Sequence, residues 1–222
     1  MVPLSTIITN VRLRYESVSG GSLVRWADDD ITEFINQGLE TLAEATGFYE
    51  RYASVPVALD RTWYDVRGFT PETVIQVTSI WSTLRNQWLE PIDPNELDIW
   101  WEKARGTPLA FFTKGIYWFG VYPASDTDGT GILQVHFRAI PSRFTHTQAV
   151  LAELPDDFTT ALEDYALYEM ACVDRQPKRA IQLFKSYQER EKNLADFVDH
   201  RLRNATAGRM GKFAGRMGRR FV

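Results

Sequence analysis

Three histidines, His136, His146 and His200, and one cysteine, Cys172, are the residues from which this chain could build a metal centre or a thiol nucleophile. No pair of them has the short spacing of zinc ligands, and Cys172 has no second cysteine with which to close a cluster or a disulfide. His136 falls on the polar side of an alternating run and reads as a solvated sheet residue. Asp126-Thr-Asp128-Gly129 has the opening of a calcium loop, but the third acidic position is missing and Phe137 stands where the bidentate Glu belongs. It reads as a turn. Asp28-Asp-Asp30 could hold a cation, yet three acids opening an apolar-periodic run are more simply a helix cap and first turn. Gly211-Lys212 lacks the earlier glycine of a phosphate loop, because Thr206 occupies that place and Phe213 replaces the hydroxyl residue. Glu163 and Asp164 are adjacent carboxylates on an amphipathic helix and read as its wet face. No nucleophile stands beside a base in any of these patterns. The sequence predicts no enzyme, no cofactor and no metal site.

The chemistry that remains is that of charge and insertion. From Arg201 to Val222 there are seven basic residues and no acid. The whole chain has 25 basic and 29 acidic residues. The first 200 residues therefore hold 18 basic against 29 acidic residues, a net of −11. Within the basic stretch GRMGKFA (208–214) is followed in register by GRMGRRF (215–221). Arg209, Lys212, Arg216, Arg219 and Arg220 offer donors for carboxylate or phosphate, while Met210, Phe213, Met217 and Phe221 recur every three or four places as apolar plugs. A segment of this kind builds no core and takes its order from a partner. Lys/Arg clusters neutralise nucleic-acid phosphates, and Phe can stack on bases. The regular Met and Phe spacing instead suits pockets on a protein surface.

At 222 residues the chain has room for one domain or somewhat more. Aromatics reach 13%, and six of the seven tryptophans lie between Trp63 and Trp118. Such residues supply large contact area in cores and at interfaces alike. No apolar run approaches the roughly 20 residues of a membrane span, and no charged-then-apolar leader pattern opens the chain. The expectation is a soluble protein with no membrane contact.

The elements that position the basic segment follow from periodicity. Leu4, Ile7, Ile8, Val11 and Tyr15 predict a first helix, and Ile31, Phe34, Ile35, Leu39 and Leu42 a second from Asp28 to Ala45, ended by Gly47. Between Glu50 and Ile140 the runs 52–59, 74–81, 110–113, 116–122 and 132–140 are β-branched and aromatic. A short helix carrying Leu97, Trp100 and Trp101 interrupts them. Helices return at Pro155, run to about Asp174, turn at Arg175-Gln-Pro-Lys, and continue from Lys178 to about Arg203. The stripe of the last helix is Ile181, Phe184, Tyr187, Leu194, Phe197, Val198 and Leu202. The fold class is α+β: N- and C-terminal helices form one bundle, with a central β-rich insert and an extended C-terminal arm. The divisions are 1–47 for the N-terminal helices, 48–154 for the insert, 155–202 for the C-terminal helical hairpin and 203–222 for the arm.

The segments Asp30-Ile-Thr-Glu-Phe-Ile-Asn-Gln-Gly-Leu-Glu, Thr46-Gly-Phe-Tyr-Glu, Val74-Ile-Gln-Val-Thr-Ser-Ile-Trp and Leu89-Glu-Pro-Ile occur in an order that resembles tailed-bacteriophage head-to-tail adaptor (connector, or head-completion) proteins of the short-tailed type. The resemblance implies a structural virion protein. It implies a ring of twelve copies docked on the portal protein through the arm, extending a channel for viral DNA and offering a platform to tail or nozzle proteins. Residues 209, 210, 212, 213, 216, 217 and 219–221 would make the portal contact. The implied location is the head–tail interface, after assembly in the host cytoplasm. Two other readings stay open on the residues themselves: a nucleic-acid-binding module that uses the arm, and a different ring, such as a stopper or tail-tube component.

Overall fold

The computed structural model describes residues 2–19, 26–97, 101–129, 131–145 and 154–217, with side chains as far as Arg201. Four helices and eight strands follow in chain order: α1 (Leu4–Ser19), α2 (Asp28–Thr46), β1 (Glu50–Pro56), β2 (Trp63–Asp65), β3 (Thr73–Ser82), β4 (Gln87–Trp88), β5 (Glu90–Pro91), β6 (Ala110–Lys114), β7 (Trp118–Tyr122), β8 (Ile132–Ile140), α3 (Thr159–Val173) and α4 (Pro177–Met217). They separate into two compact units. Residues 1–48 and 143–222 make the helical one, and residues 49–142 the sheet one. The mixed helix-and-sheet class predicted from the sequence is the observed one.

In the helical unit α3 is the central element, with α1, α2 and α4 all packed against it. Its buried residues Ala161, Leu162, Ala166, Leu167 and Met170 meet Ile7, Val11 and Tyr15 of α1, Ile31, Ile35 and Leu39 of α2, and Tyr187 and Leu194 of α4 in one core. Each fully buried Leu or Ile contributes about 1.5–3 kcal/mol relative to exposure. The start of α2 is fixed by Asp30, whose carboxylate accepts from the Ala27 N–H at 3.2 Å, and by the acids of its first turn facing the positive end of the helix. Asp28 also pairs with Arg12 of α1 at 2.5 Å. The helix ends at Gly47 in the left-handed conformation, φ 60°, its N–H donating to Ala43 O. Where the chain returns to this unit, the Asn36 side chain donates to Phe144 O at 3.1 Å and accepts from Phe144 N at 2.8 Å. Arg143 joins the same segment to Glu33 and Glu40, one heptad apart on α2.

The sheet unit holds two four-stranded sheets, in the orders β1-β8-β3-β4 and β2-β7-β6-β5. The first is antiparallel throughout; in the second β5 pairs parallel with β6. In β8 Leu133, Val135, Phe137 and Ala139 are buried and their alternates are not, as the period of two requires. β3 follows β8 across two register shifts, between Val74 and Gln76 and between Val77 and Ser79. In the second sheet the Phe112 ring lies over Gly120, leaving no space for a Cβ there, and stands edge-on to Trp63 and Trp101.

Several local expectations are corrected. The interrupting helix at 94–103 is two short 3-10 turns, Pro94–Glu96 and Trp101–Lys103, with Trp100 outside the described residues. Strands β2, β4 and β5 are too short to leave a periodic signal. His136 is not simply solvated: it is half-buried in a cross-strand row, stacked on Tyr52 at 5.7 Å and edge-on to Trp88 at 5.0 Å. Such pairs stabilise a sheet by packing across strands.

Candidate functional site

The basic segment is carried by α4. This helix has 41 residues, about 60 Å at 1.5 Å per residue. α3, its main partner, has 15. Among the described side chains Leu194 is the last fully buried residue of α4, and Val198 packs at the margin of the core, with Phe197 against Phe158 at 5.7 Å. Beyond that point the helix continues without a break to Met217, past the end predicted near Arg203. The segment holds no proline, and its Ala, Arg, Met and Lys residues favour helix against glycines at 208, 211 and 215 that cost about 1 kcal/mol each. The arm therefore leaves the bundle as the prolongation of its last helix. In that register positions 210, 213 and 217 share one face and positions 209, 212 and 216 the adjacent one. Arg209, Met210, Lys212, Phe213, Arg216 and Met217 are placed by their backbone only. Arg219, Arg220 and Phe221, like His146, lie outside the described residues.

What holds α4 in place is a buried ion network that sequence reasoning missed. Glu163 and Asp164 were expected on a wet face. They are buried, Asp164 with no exposed surface, because their side of α3 faces α1 and α4 rather than solvent. Asp164 accepts from Arg190 Nε at 2.7 Å and Ser186 Oγ at 2.6 Å on α4, and from Arg14 on α1. Glu163 accepts from Arg14 at 3.0 Å and Asn10 Nδ2 at 2.8 Å. Partial burial works against the Arg14 charge, but the two carboxylates more than offset it and its pKa is raised. Nearby, the Tyr15 hydroxyl donates to Asp174, and Arg179 lies over the Tyr15 ring. Burial first, then the Asp174 contact, raises the Tyr15 pKa. A carboxylate that collects donors from two other helices sets their register. The sequence signal was available only in retrospect: the apolar residues of α3 surround its whole circumference.

The stripe expected along α4 is also divided. Tyr187 and Leu194 are buried, while Ile181, Phe184 and Phe197 are exposed. Ile181 and Phe184, with Tyr168 and Cys172 of α3, line a groove of about 530 Å³. Among the described residues no group of three or more His, Cys, Asp or Glu side chains is placed to hold a metal ion. Asp128 instead accepts from Leu59 N, in the segment between β1 and β2, at 3.4 Å. No helix among those residues is long and apolar enough to cross a membrane.

The chain is thus an α+β protein whose bundle prolongs its last helix into a basic segment. The family model of the SU10 adaptor proteins matches residues 2–211, and the chain belongs to that family, the phage head-to-tail adaptors of the short-tailed type. No curated protein matches the chain.

Proposed function

We propose that this phage structural protein forms the ring between the portal and the tail. It docks on the portal through residues 203–222, extends the channel for viral DNA and presents a platform for tail or nozzle proteins. The observation that carries the reading is the prolongation of α4 into a segment with seven basic residues, no acid and a repeated Met and Phe spacing. Apolar positions on one helical face and cations on the next suit an acidic, pocketed protein surface. Ordering such an arm is unfavourable by itself, so it binds where the partner has already assembled. An acidic body suits a channel wall, because like charge keeps passing DNA from adhering. The role is structural rather than catalytic.

The cations of the same segment, six of them within the arm, favour a second reading, in which the arm holds DNA. The two are separated by mixing the purified chain with portal and measuring native mass, with a duplex DNA control. Joint migration with portal and no DNA shift is expected. Separate migration from portal with a strongly salt-sensitive DNA shift would establish the second reading instead.

A further inference from the structure

The two flanks of α4 differ in what covers them. Ala180, Tyr187 and Leu194 mark its buried stripe. At about 100° per residue, Arg179, Ser186 and Arg190 fall on one side of that stripe. That side is closed by α1: Arg179 lies 5.0 Å over the Tyr15 ring, and Ser186 and Arg190 share Asp164 with Arg14. Ile181, Phe184, Lys185 and Gln188 fall on the opposite side, where with Tyr168 and Cys172 they form the groove. Ile181 is 58% exposed and Phe184 37%. Among the described lining residues the charged ones are Arg175 and Lys185, and no carboxylate lines the groove.

The outward side of α1 has the complementary character. Leu13 is 59% exposed, the large apolar residue left in solvent among the described side chains of this helix. Glu16 stands one turn further on, and Asp28 is held against the same helix by Arg12. An apolar point with Glu16 and the Arg12-paired Asp28 beside it, Arg14 being turned to the carboxylates of α3, thus occupies one flank of the bundle, and an apolar groove flanked by cations occupies the other. Contact between unlike faces is heterologous, the kind from which closed rings are built. Two grooves facing each other would bring like charges together.

We propose that the α3–α4 groove receives the α1 face of a second copy of this chain, with Leu13 entering beside Ile181 and Phe184, and Glu16 and Asp28 meeting Lys185 and Arg175. The inference rests on the ring-forming reading above and assigns the faces that meet. Cys172, the chain's one cysteine, is exposed and lines the groove, which supplies the test. Leu13→Cys in the full chain, treated with a short bismaleimide alone and with portal, gives a covalent ladder of oligomers on a denaturing gel. The ladder is lost when Cys172→Ala is added, and Leu59→Cys, an exposed position in the sheet unit, gives none. An unchanged melting temperature for Leu13→Cys shows that the fold is intact. A ring-sized native mass without the ladder overturns the assigned faces and leaves the adaptor reading standing. A cross-linked dimer that persists in Leu13→Cys with Cys172→Ala means that like faces meet, and overturns the inference. A monomeric mass even with portal overturns the ring and the inference together.

Discussion

Arg190 of α4 donates from Nε to Oδ2 of Asp164 at 2.7 Å, and that carboxylate has no exposed surface. Because Arg14 of α1 reaches the same group, one side chain on α3 fixes how two helices lie against it. The helix that becomes the arm is thereby keyed to the bundle at Arg190, 13 residues before the arm begins at Arg203.

Asp164→Ala removes the shared acceptor, leaving Arg190 only the Thr160 hydroxyl and Arg14 only Glu163. Breaking a buried pair in this way costs about 3–5 kcal/mol. The midpoint of urea unfolding should fall accordingly, with the slope unchanged. A shift below about 1 kcal/mol would mean that the network is solvated and does not set helix register.

Gly38→Ala separates propensity from packing. In a free helix the change stabilises by about 1 kcal/mol. Here the new Cβ would lie 2.9 Å from Cγ of Tyr165, near the stiff root of that ring. Overpacking of this kind costs about 1–3 kcal/mol. A net loss of stability is expected in thermal unfolding, and a gain would show that Tyr165 moves freely.

The buried phenols predict an alkaline limit. Burial, with the Glu191 carboxylate adding to it, raises the Tyr187 pKa far above its ordinary value, and burial raises those of Tyr64 and Tyr165. A group whose folded pKa is raised contributes stability that is whole below its unfolded pKa, about 10, and is lost as pH rises above it. Melting temperature should therefore hold through neutral pH and drop beyond about pH 10. Tyr187→Phe should reduce the slope of that drop, and an unaltered slope would exclude Tyr187 as its source.

The arm's apolar positions should matter more than its charges for attachment to portal. Phe213→Ala with Phe221→Ala is expected to weaken attachment by more than Arg216→Ala, because apolar anchors in pockets dominate binding energy while rim charges contribute little. Pull-down with portal at fixed salt gives the comparison. The opposite order would point to a charge-tracking contact.

The elements read correctly from sequence are those whose signal is local. Gly47 announces the end of α2 because only a left-handed residue closes the helix there, and β8 is plain because four alternate residues are buried. Glu163 and Asp164 were misread because their burial depends on α1 and α4, which no local pattern contains. β4 and β5, two residues each, carry no period. Ile181 and Phe184 satisfy a helical stripe as well as Tyr187 does, yet α3 and α2 cover only one side of α4. The apolar stripe that marks α4 ends at Leu202, so the helix reads as ending near Arg203, whereas the residues at 203–217, four-fifths of them non-glycine, carry it on to Met217. For the candidate site, the arm's composition was legible throughout, but its attachment to a keyed helix was not.

Removal of residues 203–222 tests the central claim most directly. Among the described side chains the helical core reaches no further than Val198, so the shortened chain should unfold at the temperature of the full one. Mixed with portal at low and at physiological salt, it should remain unattached in native mass measurements under conditions where the full chain joins. Undiminished attachment of the shortened chain would contradict the account.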